Sequence, residues 1–171
     1  GLTAGKWYWE GKADARVGGN QETGVGDWLI GIVSTQITAT GRELGYEATD
    51  YGYMGADGGR INNDAESSYG DSYGFAIIGV ALDLDNNKLY FAKDGTWQNS
   101  GDPTSGATGT GALDVTDPAS TPLGVYFPAT SANNDSVDHT WRMNFGNPAY
   151  ANTSDAADAN GYGKFEYAPP S

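Results

Sequence analysis

Ile78-Gly79-Val80-Ala81-Leu82-Asp83-Leu84-Asp85-Asn86-Asn87-Lys88-Leu89-Tyr90-Phe91-Ala92-Lys93 is the stretch on which the fold turns. Ile78, Val80, Leu82 and Leu84 alternate with Gly79, Ala81, Asp83 and Asp85. That period of two sets one side of a strand against a core. A second strand-like run, 88–93, follows at once. Two adjacent asparagines stand between the runs, and Asn tolerates the positive φ that a two-residue hairpin turn requires. The reading is two antiparallel strands joined at Asn86-Asn87, with Asp83 and Asp85 on the polar face of the first.

Working outward, the same period recurs. Over 7–17 the odd positions are Trp7, Trp9, Gly11, Ala13, Ala15 and Val17, and the even ones are Tyr8, Glu10, Lys12, Asp14 and Arg16. This predicts one long strand or a bent pair, with Gly11 at a bulge or a close approach. Trp28-Leu29-Ile30-Gly31-Ile32-Val33 has no polar member and predicts a strand covered on both faces. Further strands are expected at Leu123-Val125-Phe127, at Trp141-Met143-Phe145, briefly at 112–115, and near 165–167. Trp7, Trp9, Trp28, Phe91, Phe127, Trp141 and Phe145 follow the alternation and are assigned to the core. No stretch carries a helical period with caps. The expectation is a single all-β domain over 1–171, an antiparallel β-sandwich. A long loop spans 99–121, and a polar stretch spans 149–160.

Composition agrees and narrows the function. The chain has 171 residues, 26 glycines, 7 prolines and 12% aromatics. It has no cysteine, which excludes disulfides and thiolate metal sites, and a single histidine, which excludes a multi-histidine site. Nine scattered basic residues against 22 acidic ones give a net charge of −13. Nucleic acid and anionic membrane surfaces need a concentrated cationic patch, so neither is expected as a partner. No apolar run approaches the ~20 residues of a membrane span. Sixteen of the acids are Asp, placed mostly in turns. The acidic surface also suits salty water, where self-repulsion is screened.

Several motifs resemble one family. Gly5-Lys6-Trp7-Tyr8-Trp9-Glu10 resembles the opening strand of SPRY domains, and 79–91 resembles their central hairpin. Lys93-Asp94-Gly95, Tyr126-Phe127-Pro128-Ala129 and Met143-Asn144-Phe145-Gly146 resemble the later turn, the late strand and the closing Asn-Phe-Gly motif. Tyr51-Gly52-Tyr53, Gly59-Arg60-Ile61-Asn62-Asn63, Ser68-Tyr69-Gly70 and Gly95-Thr96-Trp97-Gln98 look like the SPRY-type modules of bacteriophage particle and tail proteins. The resemblance implies a concanavalin-like bent jelly roll whose loops bind a partner, usually protein, without catalysis. The sequence departs from the pattern at 71–77, where the usual Gly-Asp before the central strand is missing.

Asp83, Asp85 and Asn87 have the spacing of a calcium loop. The sixth and twelfth positions of that loop, Lys88 and Asp94, do not fit it. No cofactor is expected; the alternative is a calcium ion gathered by the acidic loops at Asp102, Asp114 and Asp117. A glycosidase needs two carboxylates across a cleft about 5–10 Å wide. Glu10 and Asp14 would lie roughly 13 Å apart along one strand. Ser136, Asp138 and His139 tempt a triad reading but lack a nucleophile elbow. The chain is therefore not expected to be an enzyme.

The binding expectation rests on aromatics. Tyr51, Tyr53, Tyr69, Tyr73 and Trp97 sit among Gly, Asn, Ser and Asp, the usual mixture of recognition surfaces. Either they line such a surface or they pin their own loops to the sandwich. The favoured function is a non-catalytic structural module at a virion surface or tail appendage, extracellular, contacting a neighbouring subunit or a host surface glycan. Self-association through sheet edges is a further expectation. A SPRY interaction domain of a cellular protein, and a carbohydrate-binding or glycan-active sandwich, are the alternatives.

Overall fold

A computed structural model describes residues 1–17, 28–35, 42–132 and 138–171; the side chains at 15–17 and 138–139 lie outside the description. Eleven strands among these residues form two antiparallel sheets. In chain order they are β1 (Lys6–Val17), β2 (Trp28–Val33), β3 (Tyr51–Met54), β4 (Gly59–Asn62), β5 (Ala65–Ser68), β6 (Ile77–Asp83), β7 (Lys88–Lys93), β8 (Thr96–Trp97), β9 (Leu113–Asp114), β10 (Phe127–Ala132) and β11 (Asp138–Asn144). The larger sheet runs β11-β1-β6-β7-β8, with β9 on the same edge of β7 as β8. The smaller runs β10-β2-β3-β4-β5. Helical structure among the described residues is limited to three single 3₁₀ turns. The expected all-β sandwich is what forms.

The core lies between the sheets. Trp9, Ile78, Val80, Leu82, Leu89 and Phe91 face it from the larger sheet, and Trp28, Ile30, Ile32, Tyr51 and Tyr53 from the smaller. Leu29 points the other way, into a second cluster with Leu44, Met54 and Ile61. That is why β2 is apolar on both faces. Gly11 is a close approach, as expected: a Cβ there would stand 2.4 Å from Ile30 Cδ1. The bulge lies later, between Ala13 and Ala15 against β11.

The turn between β6 and β7 differs from its expectation. Asp83 pairs with Lys88, so the loop has four residues, 84–87, and Asp85 lies in the turn rather than on a strand. Asp83 holds the loop shut, its Oδ1 accepting the amides of Asp85 (3.0 Å) and Asn86 (3.1 Å). Asn87 takes the positive φ, +55°. Two strand expectations also shift. Gly124 adopts φ +68° in a turn, so the late strand begins only at Phe127. Residues 165–167 make a single bridge, Ala156 with Phe165, instead of a strand.

Trp7, Phe127 and Phe145 are corrected from core to surface, at 46%, 41% and 62% exposure. Each stands where a strand begins or ends, and alternation reports a face only while the second sheet covers it. Phe145 lies one residue beyond β11, before Gly146 at φ +98°.

The departure at 71–77 is accommodated locally. The Asp94 carboxylate accepts the Ile77 amide (2.9 Å), and the Ala76 amide donates to the Tyr73 carbonyl (2.9 Å). The central strand then starts cleanly at Ile77.

Candidate interaction surface

The structure removes Tyr51, Tyr53, Tyr69 and Tyr73 from any open surface. All four are buried in the main core cluster, and Tyr51 and Tyr53 belong to β3 rather than to a loop. They follow the alternative reading and pin loops to the sandwich. The Tyr51 hydroxyl accepts the Thr116 amide (3.0 Å). That of Tyr53 donates to the Asp71 carbonyl (2.5 Å). The Tyr69 hydroxyl reaches the Gly111 carbonyl (3.3 Å) and accepts the Phe91 amide (3.3 Å). The Tyr73 hydroxyl sits 3.0 Å from the carbonyls of both Trp28 and Tyr53. A phenol offers a large apolar body and one polar tip, which suits it to hold a polar loop over an apolar core. Burial raises three of these phenols above their ordinary value: Tyr69 to about 12, and Tyr53 and Tyr73 in the same direction.

Trp97 differs. It is half-buried on the larger sheet, edge-on to Tyr8 and to Tyr90, with ring centroids 6.4 Å away in both cases. It is the one member of the five that reaches the outside.

An apolar groove lies near it. The groove, of about 390 Å³, runs over the outer face of the larger sheet, lined by Trp7, Tyr8, Pro103, Phe145, Phe165, Pro169 and Pro170 among others. Lys6 and Asp83 form an ion pair at its wall, 3.7 Å apart. Residues 99–121 approach the groove at Pro103 and are firmly held. The Asp102 amide donates to the Thr110 carbonyl (3.0 Å), and the Asp102 carboxylate caps Thr104 (2.9 Å). Sequence reasoning missed Trp7 and Phe145 as surface residues. The glycines that flank them, Gly5 and Gly146, were the available signal that regular strand ended there.

Among the described residues no carboxylate cluster suited to a metal comes together. Asp102 caps its own turn, Asp114 pairs with Lys88 and Asp117 accepts the Ala119 amide. Among the described residues no group of three His, Asp or Glu side chains comes together. Glu10 and Asp14 are not a cleft pair either. Glu10 is wholly buried, and Asp14 pairs with Arg142. Of the triad residues, Ser136 lies outside the described residues, as do the side chains of Asp138 and His139.

The SPRY domain family matches residues 6–147. The chain therefore belongs to the SPRY family, which the bent two-sheet architecture fits. No curated protein matches the chain. Membership places it among protein-interaction modules, a generally non-catalytic class, and makes proteins its general class of partner.

Proposed function

We propose that this SPRY domain is a structural binding module of a virion surface or tail appendage, working outside the cell and docking a neighbouring structural protein. The observation that carries the reading is the aromatic groove on a sandwich of an interaction family. Trp7 and Phe145 stand partly exposed at its sides. Exposed rings flanked by prolines are the kind of rigid anchor that dominates binding energy. The particle context is supported by the resemblance of 51–70 and 95–98 to phage modules. A net charge of −13 favours a partner with a basic face, whose Arg side chains can lie over the two rings.

Two measurements test this. Purified particles from the source should contain the chain in a fixed ratio to the other structural proteins, read by quantitative mass spectrometry. Recovery only from soluble cell fractions would overturn the particle context. With the cross-linked neighbour in hand, the double variant Trp7→Ala/Phe145→Ala should bind it at least about tenfold more weakly while its circular dichroism stays unchanged. Unaltered affinity would remove the groove from the reading.

A further inference from the structure

The most heavily engaged side chain on the outer face of the larger sheet is a carboxylate with 0% exposure, Glu10. Its Oε2 accepts from Asn144 Nδ2 (3.0 Å), the Tyr150 hydroxyl (2.9 Å) and the Glu166 amide (3.0 Å). Its Oε1 accepts from the Tyr167 amide (2.8 Å) and the Tyr8 hydroxyl (3.2 Å). No cation takes part: among the described residues, no Lys or Arg stands within ion-pair distance of it. A buried charge is tolerable only when its lone pairs are satisfied in this way.

Three of the five donors belong to residues 148–171, which follow the family match. Glu10 thus grips this segment near its start, at Tyr150, and again at 166–167. Asn144 adds a second tie, its Nδ2 donating to the Lys164 carbonyl (2.8 Å). Apolar attachment is slight, because only Tyr150 and Phe165 of the segment are buried. Phe165 rests edge-on over Tyr8, centroids 5.2 Å apart. The segment is held together internally. The Glu166 carboxylate accepts the amide (2.6 Å) and hydroxyl (2.5 Å) of Thr153, and Ala156 bridges Phe165. The Lys164 amide also donates to the Gly146 carbonyl (2.9 Å). A unit with its own bonds, few buried apolar contacts and a small set of polar ties, three of them made by Glu10, belongs to the low-stability end of a fold.

We propose that residues 148–167 form a strap latched to the SPRY sheet by Glu10, which opens as a unit and takes one wall of the groove with it. Phe165, Asp158 and Asn160 line the groove from the strap. The groove is therefore complete only while the latch is closed, and Glu10 is a positioning residue for it. The binding consequence rests on the function proposed above; the latch itself does not.

Glu10→Gln tests the latch in the full chain, since it keeps the shape but turns an amide donor towards other donors. Hydrogen exchange should show the amides of 148–167 opening at least about tenfold faster while β6 and β7 keep their protection. Hydroxyl-radical labelling of Tyr8 should rise with them. Tyr150→Phe, which keeps the ring and removes one donor, should give a smaller change of the same kind, and decides alone if Glu10→Gln does not fold. A selective rise in either variant supports the latch. Unchanged strap exchange in both, or loss of strap and sheet protection together in both, overturns it. A loosened strap with full affinity for the cross-linked neighbour would overturn only the binding consequence.

Discussion

Tyr73 shows how an aromatic among turn residues becomes interior. Its ring lies 4.9 Å from that of Tyr53, and its hydroxyl meets two main-chain carbonyls across the smaller sheet. Tyr73→Phe removes this donor from the core, while the Trp28 carbonyl keeps the Gly55 amide (2.8 Å). Loss of a hydrogen bond of this kind costs about 0.5–1.5 kcal/mol, so the urea midpoint should fall accordingly with the slope unchanged. An unchanged midpoint would mean that the hydroxyl contributes nothing net. This is also where sequence reading reached its limit. The polar neighbours put all four tyrosines in loops; Tyr69 and Tyr73 do stand between strands, whereas Tyr51 and Tyr53 belong to β3. Which way each ring points depends on the loop folding back over the core, and that is a tertiary fact. Glu10 was hidden for a related reason: alternation put it on a polar face, and the cover over that face comes from residues more than 130 positions later.

The β6–β7 hairpin is the element in which sequence and structure meet most closely. Ile78, Val80, Leu82 and Leu84 are all buried, as their alternation required. The turn was misjudged by two residues, because the Asp83 side chain replaces strand pairing with bonds to the loop amides. Asn87 remains the residue that bears the left-handed backbone. Asn87→Ala should therefore destabilise the domain by about 1 kcal/mol, and Asn87→Gly by less, since glycine accepts positive φ without strain. Chemical denaturation of the two variants side by side tests this order. Equal losses would mean that the backbone at 87 sets no constraint. The strands β3, β4 and β5 were not anticipated, because Gly, Asn and Ser break their alternation. The misplaced core residues are all at ends: Trp7, Phe127 and Phe145 lie where pairing begins or stops. Parity carries no information there, and two of these three border the candidate groove.

For the molecule as a whole, the buried phenols set a limit on the alkaline side. Tyr8, Tyr53, Tyr69, Tyr73, Tyr126, Tyr150 and Tyr167 all titrate above their ordinary value of 10.0, in each case first because burial removes the tyrosinate from water. Tyr8 and Tyr150 are raised further by the Glu10 carboxylate, which needs their protons. In the unfolded chain the same phenols ionise near 10. The sign follows: above pH 10 the unfolded state has lost protons that the folded state retains, so stability falls as pH rises. Their contribution is complete below 10 and disappears as pH climbs towards the folded values. Many groups with the same sign make the loss steep. Between pH 10 and 12 the far-ultraviolet circular dichroism and the tyrosinate absorbance near 295 nm should therefore change together in one main transition. Full tyrosinate absorbance with the sheet signal intact would mean that the phenols ionise in place, and that the aromatic interior is far more open to water than its packing indicates.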